Sequence, residues 1–336
     1  MEWSARRTLV CDHLAMAAPS TCIRLSRTSG RLAAVALSWA LVAPLFAQSE
    51  PPPPTPPSSA ELRAKAESGD AAAMLRLAGH LARGSGGFTR DDAEALRWFR
   101  RAADAGEPEA MLALAARIAA GQGVARDEAE AVRWYRRAAE KGSLNGMYLL
   151  AVAHARGRGV VRSDAEAARW YREAAGRGHA RSMTNLGVMH LKGTGVARDV
   201  AEARRLFLAA AELGDANAMS NLGVLSEEGL GVARDEAAAV EWFLRAAKAG
   251  DAAAMIVMAE RLRDGRGTDK DAPAACAWIA RAVAASSGEV QARAKRLEGA
   301  ICEGVDEAAR AAADERIDET IDEKIGEPAQ KQRDQP

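Results

Sequence analysis

A single aromatic slot recurs along this chain and constrains its fold more than any other feature. Five tryptophans occupy the slot, each 36 residues from the next or, across one unit, twice that: Trp98, Trp134, Trp170, Trp242 and Trp278. Leu206 fills the slot in the unit between Trp170 and Trp242. A repeat of about 20–50 residues is typical of solenoid proteins, whose units bury their apolar faces only against neighbouring units.

Six units align on this slot. They cover residues 70–106, 107–142, 143–178, 179–214, 215–250 and 251–286, and the first carries one extra residue in its loop 84–87. Each unit predicts a helix A, a glycine turn, a helix B and a second glycine. We therefore expect an all-α fold, a right-handed α-solenoid of six 36-residue helix-turn-helix repeats with capping helices.

Helix A carries a methionine, a large apolar residue three positions later, and a small residue directly after that. The methionine slot holds Met74, Met111, Met147, Met183, Met219 and Met255, and the small slot holds Ala78, Ala115, Ala151, Gly187, Gly223 and Ala259. This spacing places all three on one helix face, where the small residue lets a neighbouring helix approach closely. A glycine follows each helix A and favours a left-handed cap at Gly84, Gly121, Gly157, Gly193, Gly229 and Gly265.

Each helix B is preceded by a residue that caps helix N-termini well. These residues are Asp91, Asp127, Ser163, Asp199, Asp235 and Asp271. In four units a glutamate follows three residues later (Glu94, Glu130, Glu166 and Glu202), which predicts reciprocal capping boxes.

These motifs carry a family resemblance. The segment 229–250, which begins Gly-Leu-Gly-Val-Ala-Arg-Asp and continues through Glu-Trp-Phe to Ala-Ala-Lys-Ala-Gly, resembles the Sel-one-like repeat family, relatives of the tetratricopeptide repeats. The resemblance covers residues 70–286 and implies a protein-binding scaffold. The chain departs from the family at its tyrosine slot, which holds Leu81, Ile118, His154, His190, Ser226 and Leu262.

Residues 1–47 have the basic, apolar and small-residue order of a secretory signal peptide, with cleavage expected near Ala47. A start at Met16 gives a more ordinary signal length. One alternative is an uncleaved membrane anchor over residues 32–47, and another is an apolar stretch with no targeting role. The signal-peptide interpretation predicts a periplasmic or secreted protein.

The segments on either side of the repeats predict spacers and caps. Residues 48–59 form a Pro-rich linker, and residues 60–69 form an N-terminal cap helix. Residues 287–325 are expected to form C-terminal capping helices, followed by a disordered tail at 326–336.

Composition and motifs argue against catalysis and against nucleic-acid binding. The chain balances 46 basic against 46 acidic residues and shows no basic stripe, so no nucleic-acid partner is expected. No nucleophile–base motif is present, and Gly-x-Gly follows a helix instead of a strand, so it does not predict a phosphate site. His154 and His190 are expected to pack in the core, and no metal or cofactor is predicted. The alternative is a cell-wall-active hydrolase, as some family members are labelled.

Two cysteines, Cys276 and Cys302, lie after the leader on consecutive predicted helices. An exported protein allows them to form a disulfide that pins the C-terminal cap. Two buried thiols remain the alternative.

The predicted binding surface is the side of helix A that lines the concave groove. We expect a protein or peptide partner there, held by side chains two and six positions after the methionine slot. The candidate residues are Arg76, His80, Arg117, Leu149, Asn185, Met189, Asn221, Leu225 and Arg261. Asn185 and Asn221 repeat at one period, and their amides can clamp an extended peptide. Local hydrogen bonding is the alternative for these two amides.

Overall fold

The computed structural model describes residues 58–324, so the leader, nearly all of the Pro-rich segment and the C-terminal tail lie outside the described residues. Within that range the chain forms fifteen helices and no strand. They are α1 (Ser59–Glu67), α2 (Ala71–Arg83), α3 (Asp92–Asp104), α4 (Pro108–Ala120), α5 (Glu128–Glu140), α6 (Leu144–Arg156), α7 (Asp164–Gly176), α8 (Ala180–Lys192), α9 (Val200–Glu212), α10 (Ala216–Glu228), α11 (Glu236–Lys248), α12 (Ala252–Asp264), α13 (Ala272–Ala285), α14 (Gly288–Ile301) and α15 (Glu307–Lys324).

Six antiparallel helix pairs follow one another, from α2 with α3 to α12 with α13. Each helix packs against its partner within the unit, and each helix B packs against helix A of the next unit. This order confirms the predicted all-α solenoid. The N-terminal cap helix α1 begins one residue before the predicted start, because Ser58 caps it. The Ser58 hydroxyl accepts from the Glu61 backbone N–H, and the Glu61 carboxylate accepts from the Ser58 backbone N–H.

Local residues set the start of each helix B and the end of each helix A. The six predicted caps of helix B each accept a hydrogen bond from the backbone N–H three residues later, as at Asp91 and Glu94 (2.7 Å). The six glycines that end helix A all adopt the left-handed conformation, with φ between 64° and 72°. Both predictions are confirmed, because they depend only on residues within one turn of the helix end.

In the first two units, the glutamates predicted to complete the capping boxes bind other donors. Glu94 Oε1 accepts from Arg63 of α1 at 2.8 Å and from the Trp98 indole N–H at 3.2 Å. Glu130 Oε1 accepts from Arg100 of the preceding unit at 2.9 Å and from the Trp134 indole at 3.4 Å. The indole lies one turn along the same helix and the arginine supplies a charge-assisted bond. This glutamate therefore links its unit to the preceding part of the stack and orients the tryptophan.

Small residues allow the helices to approach within and between units. A Cβ added to Gly187 in α8 would lie 2.6 Å from the Phe207 ring of the same unit. A Cβ added to Gly146 in α6 would lie 2.8 Å from the backbone nitrogen of Ala139 in the preceding unit. The second glycine of Gly-x-Gly has a related role, since a Cβ on Gly159 would meet the Glu128 carbonyl of the unit before it. This close packing explains the Gly-x-Gly pattern without a phosphate.

The last two helices cover the end of the stack separately. α14 packs on α13 and α12, whereas α15 packs on α13. Arg281 of α13 pairs with Asp314 (2.6 Å) and Asp318 (2.9 Å) of α15. In the structure Cys276 of α13 is disulfide-bonded to Cys302 at the end of α14. The bond closes a loop with a sequence separation of 26 and ties the cap to the sixth unit.

Reduction should therefore loosen this cap. Closing a loop of this length restricts the unfolded chain by about 2–4 kcal/mol, so reductant should lower the midpoint of chemical unfolding. A variant with both Cys276→Ser and Cys302→Ser is expected to unfold at the lower midpoint, and reductant should not change that midpoint. Equal midpoints for oxidised and reduced wild-type protein, with alkylation showing two thiols in both, would show that the bond does not form in solution.

Candidate interaction face

Four slots of each helix A reach the surface, and we call them the helix-A face. They lie two residues before the methionine slot and two, five and nine residues after it. In the central units these are Asn145, Leu149, Val152 and Arg156; Arg181, Asn185, Val188 and Lys192; and Asn217, Asn221, Val224 and Glu228. All are exposed or half-buried except Asn221. The spacing is that of one helix stripe, so the face continues from unit to unit.

The predicted site was wrong about the slot six residues after the methionine. Met189, Leu225 and Arg261 are buried in the structure, with 7%, 1% and 4% of their surface exposed. The side of helix A that carries this slot packs against the preceding unit instead of facing the groove. The three residues therefore belong to the core and are not available to a partner.

Arg117 shows what this slot does when it holds a cation. Its guanidinium lies 5.0 Å from the centre of the Phe99 ring and 3.2 Å from Asp92 Oδ1, both on α3 of the preceding unit. The hydrogen bond from Arg90 and then that from Arg117 lower the pKa of Asp92. Arg117 thus joins two units and is half-buried.

Arg261 repeats this arrangement at the other end of the stack. Its guanidinium lies 5.0 Å from the Phe243 ring and 2.7 Å from Glu227 Oε2, both in the fifth unit. Arg266 also pairs with Glu227, at 3.0 Å. Within residues 58–324, the Nε and Nη1 groups of Arg261 have no hydrogen-bond partner. Loss of Glu227 would leave this buried charge without compensation.

The two asparagines of the predicted clamp do not act as a pair. Asn221 is buried, with 7% exposed, and its Nδ2 donates to the backbone carbonyl of Asn217 at 2.8 Å. Local hydrogen bonding, the alternative interpretation, therefore describes Asn221. Asn185 is half-buried, its Nδ2 is shielded from solvent, and its side chain interacts with the Tyr171 hydroxyl, lowering the pKa of that group against the larger effect of burial.

Three other residues of the predicted binding surface differ in how exposed they are. Arg76 is exposed, and Leu149 is half-buried on the helix-A face. His80 is half-buried and bonded locally, with Nδ1 3.1 Å from Ser85 Oγ and its ring 6.1 Å from that of Phe88. Arg76, Leu149 and Asn185 are thus the candidates that the structure keeps on the face.

The sequence interpretation missed a set of bonds along the edge of this face. The slot directly after the methionine is polar in units four and five, where Thr184 bonds Asp215 (3.0 Å) and Ser220 bonds Asp251 (2.6 Å). Each aspartate caps helix A of the next unit. In the third unit Tyr148 fills the slot, with its ring 5.3 Å from that of His179. The sequence signal for these bonds is a polar residue directly after the methionine, together with a capping aspartate 31 residues later.

Burial lowers the pKa of two histidines in units three and four. His154 is buried, and burial lowers its pKa. Glu166 and a hydrogen bond with the backbone of Val161 oppose this shift, whereas Arg136 and Arg169 add to it. His179 caps α8, with Nδ1 accepting from the backbone N–H of Ser182 at 3.3 Å. Burial and then Arg181 lower its pKa.

The described residues contain no group of three or more histidine, cysteine or acidic side chains arranged to hold a metal ion. Between residues 58 and 324 there is likewise no helix with the length and apolar character needed to span a membrane.

Comparison with known proteins agrees with this geometry. The model of the Sel1 repeat matches six times in succession, at residues 71–107, 108–143, 144–179, 180–215, 216–251 and 252–287. The chain belongs to the Sel1 repeat family. The matched units start one residue later than those drawn from the tryptophan period, and a comparison with curated proteins gives no match.

Two solved structures are similar to this Sel1 repeat chain. One is c5321, a protective antigen of uropathogenic Escherichia coli with an SLR fold, at 32% identity and a TM-score of 0.63 over 78% of this chain. The chain covers 56% of that antigen's length. The other is a Sel1 repeat protein from Oxalobacter formigenes, at 28% identity and a TM-score of 0.61, covering 68% of this chain and 100% of the other.

The buried histidine generates a prediction about pH. Because the pKa of His154 is lowered in the folded protein, the unfolded chain binds its proton more readily, and stability should fall as pH drops below about 6.5. His154→Leu introduces the residue found in this slot in the first and sixth units and should weaken that pH dependence. Urea unfolding at pH 7.5 and pH 5 measures the difference, and an unchanged pH dependence in the variant would contradict this role for His154.

Proposed function

We propose that this chain is a non-catalytic scaffold of the bacterial cell envelope, which binds a protein or peptide partner along its helix-A face. The observation that carries the proposal is the continuity of that face, since equivalent slots of successive units form one stripe. Sel1 repeats generally mediate protein interactions, which supports the same role. The concave side of such arrays offers an extended binding surface.

The chemistry of the face favours an extended segment. Val152, Val188 and Val224 form a half-buried row at one slot of three consecutive units, with exposed Asn145, Arg181 and Asn217 at another slot. Because the valine slot recurs once per unit, an extended partner that follows the stack meets one valine in each of these three units.

Arginine pairs provide a matched test of this face. Arg76→Glu with Arg181→Glu changes two side chains on the helix-A face, and Arg97→Glu with Arg133→Glu changes two exposed arginines on helix B by the same charge. Protein comprising residues 48–336 is used to capture partners from envelope extract, and circular dichroism checks that both variants keep their helices.

We expect the helix-A pair to lose a partner that the wild type and the helix-B pair both capture. Losing a charged contact at a binding surface, or introducing a charge that repels the partner, typically weakens the affinity severalfold or more. Equal capture by both variants would place the partner elsewhere on the molecule. Hydrolysis of cell-wall fragments by the purified wild-type protein would instead support the alternative of an enzyme.

The order of residues in the N-terminal segment supports export to the periplasm or beyond. Arg24, Arg27 and Arg31 precede an apolar run, and small residues follow up to Ala47. Sequencing the N-terminus of the protein isolated from its native cells is expected to give Gln48. An N-terminus at Met1 or Met16 would contradict cleavage and favour the retained anchor.

A further inference from the structure

One crevice lies between helix A of the sixth unit and the first C-terminal capping helix. Its volume is about 290 Å³, and it opens at the end of the helix-A face. Its lining consists of Ala253 and Ile256 from α12, and of Glu289, Val290, Ala292, Arg293 and Arg296 from α14. Cavities that enclose drug-sized ligands start at about 300 Å³, so this one suits a single side chain better than a cofactor.

The crevice lies at a junction that lacks the polar bonds found between units four and five and between units five and six. Thr184 and Ser220 bridge to the aspartate caps of the next helix A, at Asp215 and Asp251. At this last junction the same slot holds Ile256, and the cap of α14 is Ser287, whose side chain makes no capping hydrogen bond. An apolar floor therefore replaces the polar bridge.

The two ends of the crevice differ in charge. Glu289 and Arg296 are seven residues apart on α14, which corresponds to about two helical turns or about 10 Å. Arg293 is engaged with Glu260 of α12 at 3.2 Å. Arg296 is exposed and forms no ion pair among the described residues. A carboxylate is thus attracted to the Arg296 end and repelled at the Glu289 end.

We propose that this crevice anchors the partner by taking one of its aliphatic side chains, with an adjacent acidic side chain paired to Arg296. The inference rests on the proposed scaffold function and adds the chemistry of one contact. The apolar floor of Ala253, Ile256 and Val290 excludes a polar occupant, because nothing at the floor can satisfy a buried polar group. The guanidinium of Arg296 selects the carboxylate and fixes the direction of the bound segment.

Short peptides with blocked ends test the chemistry directly. The probe is a dye-labelled Gly-Ser-Leu-Glu-Ser-Gly amide, and the comparison probes replace Leu with Gly, Glu with Gln, or Glu with Lys. Fluorescence anisotropy with the chain comprising residues 48–336 gives the affinity of each. We expect the Leu-Glu probe to bind at least about tenfold more tightly than the other three, because it alone supplies both contacts.

Three variants locate the binding. Arg296→Ala should reduce affinity for the Leu-Glu probe about tenfold, and Arg296→Glu should transfer the preference to the Leu-Lys probe. Ala253→Leu fills the crevice and should abolish binding, whereas Ala72→Leu changes the same slot in the first unit and should leave binding intact.

Equal binding of the Glu and Gln probes, no transfer of preference by Arg296→Glu, or no binding of the Leu-Glu probe would each overturn the proposal. The scaffold function is judged separately. If the helix-A arginine pair loses a captured partner and Ala253→Leu keeps it, the face binds the partner and the crevice is not its anchor.

Discussion

The packing of each helix A against helix B of the preceding unit is the contact on which the rest of this structure depends. At Gly146 the approach leaves no room for a Cβ, which would lie 2.8 Å from a backbone atom of Ala139. Arg117 and Arg261 extend the same contact by stacking on Phe99 and Phe243. Because every unit is completed by its neighbour, the helix-A face is held as one continuous surface.

Features that depend on a single turn of helix were predictable from the sequence. The caps such as Asp91 and the left-handed glycines such as Gly84 need only their immediate neighbours. The slots two and six residues after the methionine share one face of an isolated helix, so local spacing does not separate them. The preceding unit covers Leu225 and Arg261, and that contact is a property of the stack. Glu94 and Glu130 differ from their predicted role for a related reason, since Arg63 of the cap helix and Arg100 of the first unit reach them from another part of the stack.

The same dependence on neighbouring units explains why the helix-A face becomes apolar at its C-terminal end. Thr184 and Ser220 join the A helices of units four, five and six with polar bonds, whereas the same slot holds Leu75 and Leu112 in the first two units. The capping helix α14 does not belong to a seventh repeat, and Ile256 faces it without forming a polar bond. The face therefore ends in an apolar crevice with charged margins, without the polar bonds that join units four, five and six.

Unfolding of two glycine variants tests the central claim most directly. Gly146→Ala should destabilise the protein by about 1–3 kcal/mol, because its Cβ meets the backbone of the preceding unit. Gly176→Ala changes another helical glycine, whose added Cβ meets nothing within 4 Å, and should leave stability unchanged or raise it by up to about 1 kcal/mol. Urea denaturation of both variants measures the difference. Equal stability of the two variants would contradict the claim that close contact between neighbouring units holds the fold together.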